Sequence, residues 1–146
     1  MKIVVCGVGN RLRGDDAIGL LIIEELKKEN LNAILINTGS APENYLQKII
    51  NLNPDILLII DAVDFKGIPG QTKIVNVEEL EDKFFSTHSL SLKFLTQYLK
   101  QFLPDLKILL IGIQPKDTNL REGITKELKE KLPQIKKEII KMLKNY

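Results

Sequence analysis

The chain has 146 residues, 44% hydrophobic and 27% charged, a balance that suits one globular domain (1–146) able to bury its own core. Its net charge of +2 is too small to mark a nucleic-acid partner, and the excess is uneven: from Arg121 onward eight Lys and Arg face four Glu. Those charges alternate in sign without interleaved aromatic rings for base stacking, so they read as the solvated face of a last helix.

Cys6 is the only cysteine, which excludes an intrachain disulfide and any CxxC site, and leaves a small buried strand residue as its expected role. The start MKIVVCG has neither the long apolar region nor the cleavage site of a signal peptide. No apolar run approaches the roughly 18 residues of a membrane span. The expectation is a soluble cytoplasmic protein without membrane insertion.

In chain order, residues 2–6 form a short continuous apolar run, the pattern of a strand covered on both faces. The glycine-rich stretch GVGNRLRGDDAIG (7–19) follows, and a helical pattern covers 16–29. A second strand, NAILI (32–36), leads through NTGSAPEN (37–44) into a helix over Pro42–Leu52, with Pro42 suited to a first helical turn. The run DILLIID (55–61) reads as a third strand. QTKIVNV (71–77) alternates, as an edge strand does. The link between these two, Ala62–Gly70, is too short for a crossover helix, so the pair is expected antiparallel. A third helix spans Ser89–Phe102, with Leu92, Leu95, Leu99 and Phe102 on one stripe. LKILLIG (106–112) is the last strand. Ile124–Leu143 is the last helix, which Pro133 should bend or interrupt. The alternation predicts an α/β fold, a three-layer α/β/α sandwich around a twisted five-stranded, mostly parallel sheet with one antiparallel strand near its edge.

Ligands of such sheets bind beyond the carboxyl ends of the strands, where strand order reverses. The polar residues expected there include Asn10, Arg11, Arg13, Asp15 and Asp16 after the first strand, Asp61 and Asp64 after the third, and His88 in FSTHSLS. A dinucleotide fingerprint fails, because Leu12 stands where its third glycine belongs and Asn37 where its acid belongs. A Walker loop fails at Asp15, which follows Gly14. A small nucleotide-binding module is therefore disfavoured. The chain has no G-x-S-x-G elbow and no HExxH, which removes the ordinary serine and zinc proteases.

What remains is Asp16, Asp61 and His88. Two carboxylates and one imidazole make a three-ligand site for a borderline divalent ion, with positions open for substrate. A helix N-terminus behind His88 would keep its ring neutral, as a ligand must be, and the ring is expected in an open crevice. Each residue also has a plainer role available: Asp16 or Asp15 as a helix cap, Asp61 as an acceptor for loop amides, His88 as a cap or surface residue.

The chain resembles the hydrogenase maturation endopeptidases, and within them the branch serving the hydrogenase 3 of formate-hydrogenlyase-type complexes. The resemblance rests on GVGNRLRGDDAIG, GSAPEN (39–44), LLIIDAVD (57–64), the histidine of STHSLS and GIQP (112–115), five blocks in order over nearly the whole chain. It implies an enzyme that clips a C-terminal extension from the [NiFe] hydrogenase large-subunit precursor after nickel insertion. It implies Asp16, Asp61 and His88 as metal-contacting and catalytic residues, and Gly39, with Ser40 beside it, as the substrate contact. The nickel is expected to arrive with the precursor, whose cysteine thiolates would complete the shell, and no organic cofactor is expected. The alternative that keeps the same ligands is a non-catalytic checkpoint that binds the loaded precursor without cutting it.

Overall fold

The structure is a computed structural model that describes residues 1–146. Its strands are β1 (Ile3–Val8), β2 (Ile34–Gly39), β3 (Ile56–Ala62), β4 (Thr72–Val75) and β5 (Lys107–Ile113). Its α-helices are α1 (Ile18–Leu26), α2 (Leu46–Leu52), α3 (Ser89–Phe102) and α4 (Lys126–Lys144). The strands form one sheet in the order β2-β1-β3-β5-β4, parallel except for β4, which runs antiparallel to β5. No helix is long and apolar enough to cross a membrane.

The continuous apolar runs are the central strands, as their pattern predicts: every residue of β1 and of β3 is buried. Their side chains alternate between two cores. Ile3, Val5, Ile56, Leu58 and Ile60 pack with α1 and α4 on one face. Val4, Cys6, Val8, Leu57 and Ile59 pack with Ile49 of α2 and Leu92, Leu95 and Leu99 of α3 on the other. Each such fully buried aliphatic side chain contributes roughly 1.5–3 kcal/mol relative to exposure, so the three-layer sandwich is held from both sides. Cys6 is one of these core residues, and burial pushes its thiol pKa up to about 12.

Four expectations change in detail. β4 is reversed and lies at the edge, but its neighbour is β5 rather than β3. The reason is burial: β5 is a seven-residue apolar strand suited to an interior place, whereas β4 has four residues with Lys73 and Ile74 exposed. Phe102 turns away from the buried stripe of α3 and is exposed. Pro133 does not interrupt α4, which runs unbroken on both sides of it. Leu128 before the proline and Ile135, Ile139 and Leu143 after it are buried against the same core, which outweighs the cost of about 3 kcal/mol for an interior proline. Finally, α1 and α2 are each entered through a 3-10 turn, Gly14–Ala17 and Pro42–Tyr45, so the α-helices begin later than the apolar periodicity does.

Candidate active site

Strand order reverses between β1 and β3, since β1 leads to β2 on one side while β3 lies on the other. Asp61 sits near the carboxyl end of β3, and the glycine loop leaves β1 directly beside it. Two glycines bring that loop down onto the sheet. A Cβ on Gly9 would stand 2.3 Å from the Asp16 carbonyl oxygen, and one on Gly19 would stand 2.4 Å from the carbonyl oxygens of both Val8 and Ile60. Backbone can approach backbone this closely only where no side chain intervenes. The turn carrying Asp16 therefore rests on the ends of β1 and β3. His88 comes from the residue just before α3.

The three predicted residues meet. One ligand atom from each lies within 4.8 Å of the others, and all three side chains are buried. His88 Nδ1 stands 3.3 Å from Asp61 Oδ1 and 3.2 Å from Thr87 Oγ1, and its Nε2 stands 3.6 Å from Asp16 Oδ2. The Thr87 hydroxyl donates its one hydrogen to Asp16 Oδ1 at 2.7 Å, so towards His88 it can only accept. Nδ1 thus carries a hydrogen, and in the neutral form of the ring the lone pair at Nε2 faces Asp16 Oδ2. That oxygen is buried and has no hydrogen-bond partner.

When the ring is neutral, two electron-rich atoms face each other across 3.6 Å, and either a proton on Nε2 or a metal ion relieves them. Metal bonds of roughly 2.0–2.2 Å could span that gap, so the donor set fits a divalent ion. Asp61 is engaged through both oxygens, Oδ1 by the His88 ring and Oδ2 by the donating Ser86 hydroxyl. A carboxylate has about four acceptor positions, so these bonds leave lone pairs for an ion.

The plainer roles fall away. Neither Asp15 nor Asp16 caps a helix through its side chain, Asp61 binds side chains rather than loop amides, and His88 occupies the N-cap position of α3 without a side-chain capping bond. The open crevice expected around His88 is not found, because the ring is only 6% exposed. Nor is its pKa lowered, as a helix N-terminus alone would lower it. Burial disfavours the imidazolium, but the hydrogen bond and charge of Asp61, with the Asp16 charge behind them, raise the His88 pKa above its usual value. Burial in turn raises the pKa of Asp61, against the lowering pull of His88 and Ser86.

Beside the ion position lies a cleft of about 110 Å³ lined by Asp16, Ser86 and Thr87 on one side and Pro115, Lys116 and Thr118 on the other. Broader hollows of about 350 and 460 Å³ lie elsewhere, against α4 and beside β4, and none of the three acids and bases borders them. Gly39 lies at the same sheet edge, its carbonyl accepting from the Gly9 amide at 3.0 Å, and Ser40 next to it is exposed. Both are outside the three-residue cluster.

The sequence places Asp15 at the sheet edge or as a helix cap, and marks no role for Ser86 or Thr87. Asp15 is fully buried and accepts from the Lys116, Asp117 and Thr125 amides and from the Thr125 hydroxyl, which ties the glycine loop to the loop after β5. The adjacency of Ser86 and Thr87 to the only histidine is the one signal that points to them.

Residues 20–142 match the HycI family, described as hydrogenase maturation protease; Asp61 and His88 fall inside that span and Asp16 four residues before it. The chain is 36% identical over 124 residues to a putative hydrogenase maturation protease of Methanocaldococcus jannaschii, covering 79% of this chain and 73% of that protein. It is 33% identical over 132 residues to the hydrogenase 3 maturation protease of Escherichia coli K12, covering 89% and 83%. Among solved structures, the [NiFe] hydrogenase maturation protease HycI from Thermococcus kodakarensis superimposes with a TM-score of 0.84 at 36% identity, covering 98% of this chain and 92% of that one. The solution structure of the Escherichia coli endopeptidase HycI gives 0.83 at 28% identity, covering 97% and 90%. The chain belongs to the hydrogenase maturation protease family, and it is an endopeptidase.

Proposed function

We propose that this endopeptidase removes the C-terminal extension of a [NiFe] hydrogenase large-subunit precursor once nickel has been inserted, and that it reads the nickel carried by the precursor itself. The observation that carries this reading is Asp16 Oδ2, a buried carboxylate oxygen without a partner, aimed at the Nε2 lone pair of His88. Asp16 and His88 take the ion. Asp61 holds the ring by its Nδ1 hydrogen and offers its remaining lone pairs, while Ser86 and Thr87 fix the two carboxylates. The chain can supply no thiolate, because its one cysteine is locked in the core. Two carboxylates and an imidazole do not by themselves select nickel over other divalent ions, so the soft ligands that do must come from the substrate. An ion held here also supplies Lewis-acid chemistry, polarising a carbonyl or a bound water at the cleft. Endopeptidase membership sets aside the non-catalytic checkpoint, which the same ligands would otherwise serve.

Mass spectrometry of a nickel-loaded large-subunit precursor, incubated with and without the protein, tests the reaction. The expected result is loss of one C-terminal peptide only when the protein is present. An intact precursor after prolonged incubation contradicts the proposal.

A further inference from the structure

Helix α3 is apolar on two sides. Leu92, Leu95 and Leu99 form its buried stripe. A second stripe, Leu90, Phe94, Tyr98 and Phe102, repeats every fourth residue on the outside, with exposures of 76%, 44%, 38% and 58%. Side chains four apart on a helix lie one above another, so these four make a continuous track about 18 Å long. Phe94 and Tyr98 pack against each other with ring centroids 4.5 Å apart and planes tilted by 38°, which joins the middle of the track. The chain has only five Phe and three Tyr, and four of these eight (Phe85, Phe94, Tyr98 and Phe102) are exposed in α3 or just ahead of it.

The track begins at the active site. Leu90 is two residues beyond His88, in the first turn of α3, and the exposed Phe85 three residues before His88 borders the cleft. The cleft of about 110 Å³ is far below the roughly 300–1,000 Å³ of sites that recognise a ligand by enclosing it. It has room for a bond to be cut but not for the contacts that choose a protein. Specific protein complexes bury about 800 Å² per partner, with aromatic anchors near the centre, so an enzyme with so small a cleft must find its affinity outside it.

We propose that the outer face of α3, from Phe85 through Phe102, is the docking surface for the folded protein substrate. The inference rests on the processing reaction proposed above. A second copy of this chain is the competing occupant, and a permanent dimer on this face would compete with substrate at the end of α3 nearest His88.

The test measures steady-state cleavage of the full-length, nickel-loaded precursor by the wild-type chain and by a Phe94→Ala, Tyr98→Ala double variant. Thermal unfolding confirms the fold; should the double variant fail to fold, Phe102→Ala at the more exposed far end replaces it. The expected result is a KM about tenfold or more above wild type with kcat unchanged. Unchanged KM in a folded variant, with active wild type, overturns the docking surface and leaves the reaction standing. A wild type that does not cleave overturns the reaction and the surface with it. Light scattering supplies the remaining arm: a wild-type dimer that the double variant converts to monomer assigns the face to a second copy and overturns the proposal.

Discussion

At Asp16 the fold treats two chemically equal oxygens differently. Oδ1 accepts from Thr87, while Oδ2 is buried and unpartnered, an arrangement that costs stability unless an ion arrives. Asp16→Asn keeps an oxygen for Thr87 and turns an amide N–H towards the Nε2 lone pair. The ion-free variant is therefore expected to be as stable as wild type or roughly 0.5–1.5 kcal/mol more so, while processing is lost. Thermal denaturation and the cleavage assay, run on one preparation, check both halves; a clear loss of stability contradicts the orphaned-oxygen reading. His88 makes a second residue-level prediction. Its raised pKa lets the imidazolium persist to higher pH than usual, and an imidazolium has no lone pair at Nε2. Uptake of Ni²⁺ by the protein should fall away as pH drops through that raised value, with a midpoint above the ordinary histidine value of about 6.5. The sign for ion-free stability is opposite: the His88 contribution is full below about pH 6.5 and is lost as pH rises through the folded-state pKa. Calorimetric titration with Ni²⁺ at a series of pH values locates the midpoint, and one below 6.5 contradicts the assignment.

Among the elements, the glycine loop is held at both ends. Gly9 and Gly19 bring it onto β1 and β3, and Asp15 ties it to the loop after β5, which forms the far wall of the cleft. Asp15→Ala leaves four donors without their acceptor, and a loss of roughly 2–4 kcal/mol is expected, with cleavage reduced in the fraction that remains folded. Urea unfolding reads the loss; a variant within about 0.5 kcal/mol of wild type, the usual range for a surface change, contradicts this role for Asp15. The same elements mark where sequence reading succeeds and where it stops. Apolar runs and helical periodicity make all five strands and four helices legible, because burial on one face or two leaves a local pattern. The place of β5 between β3 and β4 is a pairing of distant segments and leaves only a hint, in the shortness of β4. Asp15 looks like a helix cap because its donors lie about a hundred positions away. Phe102 fits a core periodicity because neighbouring positions at the end of a helix share a stripe until packing separates them. Asp16, Asp61 and His88 are legible as residue types at strand ends. Their contact follows from the β1/β3 switch point, but the engagement of Asp61 with Ser86 and with Nδ1 of His88 does not.

For the molecule as a whole, two aliphatic cores clamp one sheet, and the polar groups that the core rejects collect at its carboxyl edge. That edge offers three hard or borderline ligands, a cleft too small to enclose a protein segment, and no reachable thiolate. On the proposed reading, such a site would bind an ion weakly alone and tightly when a substrate brings the ion with its own soft ligands. The most direct measurement compares cleavage of nickel-loaded and nickel-free precursor by enzyme that has been treated with a chelator and then freed of it. The expected result is full activity towards the loaded precursor and none towards the nickel-free one. Cleavage of the nickel-free precursor at an undiminished rate, or an enzyme left inactive towards loaded precursor by the chelator, would contradict recognition of the substrate's nickel.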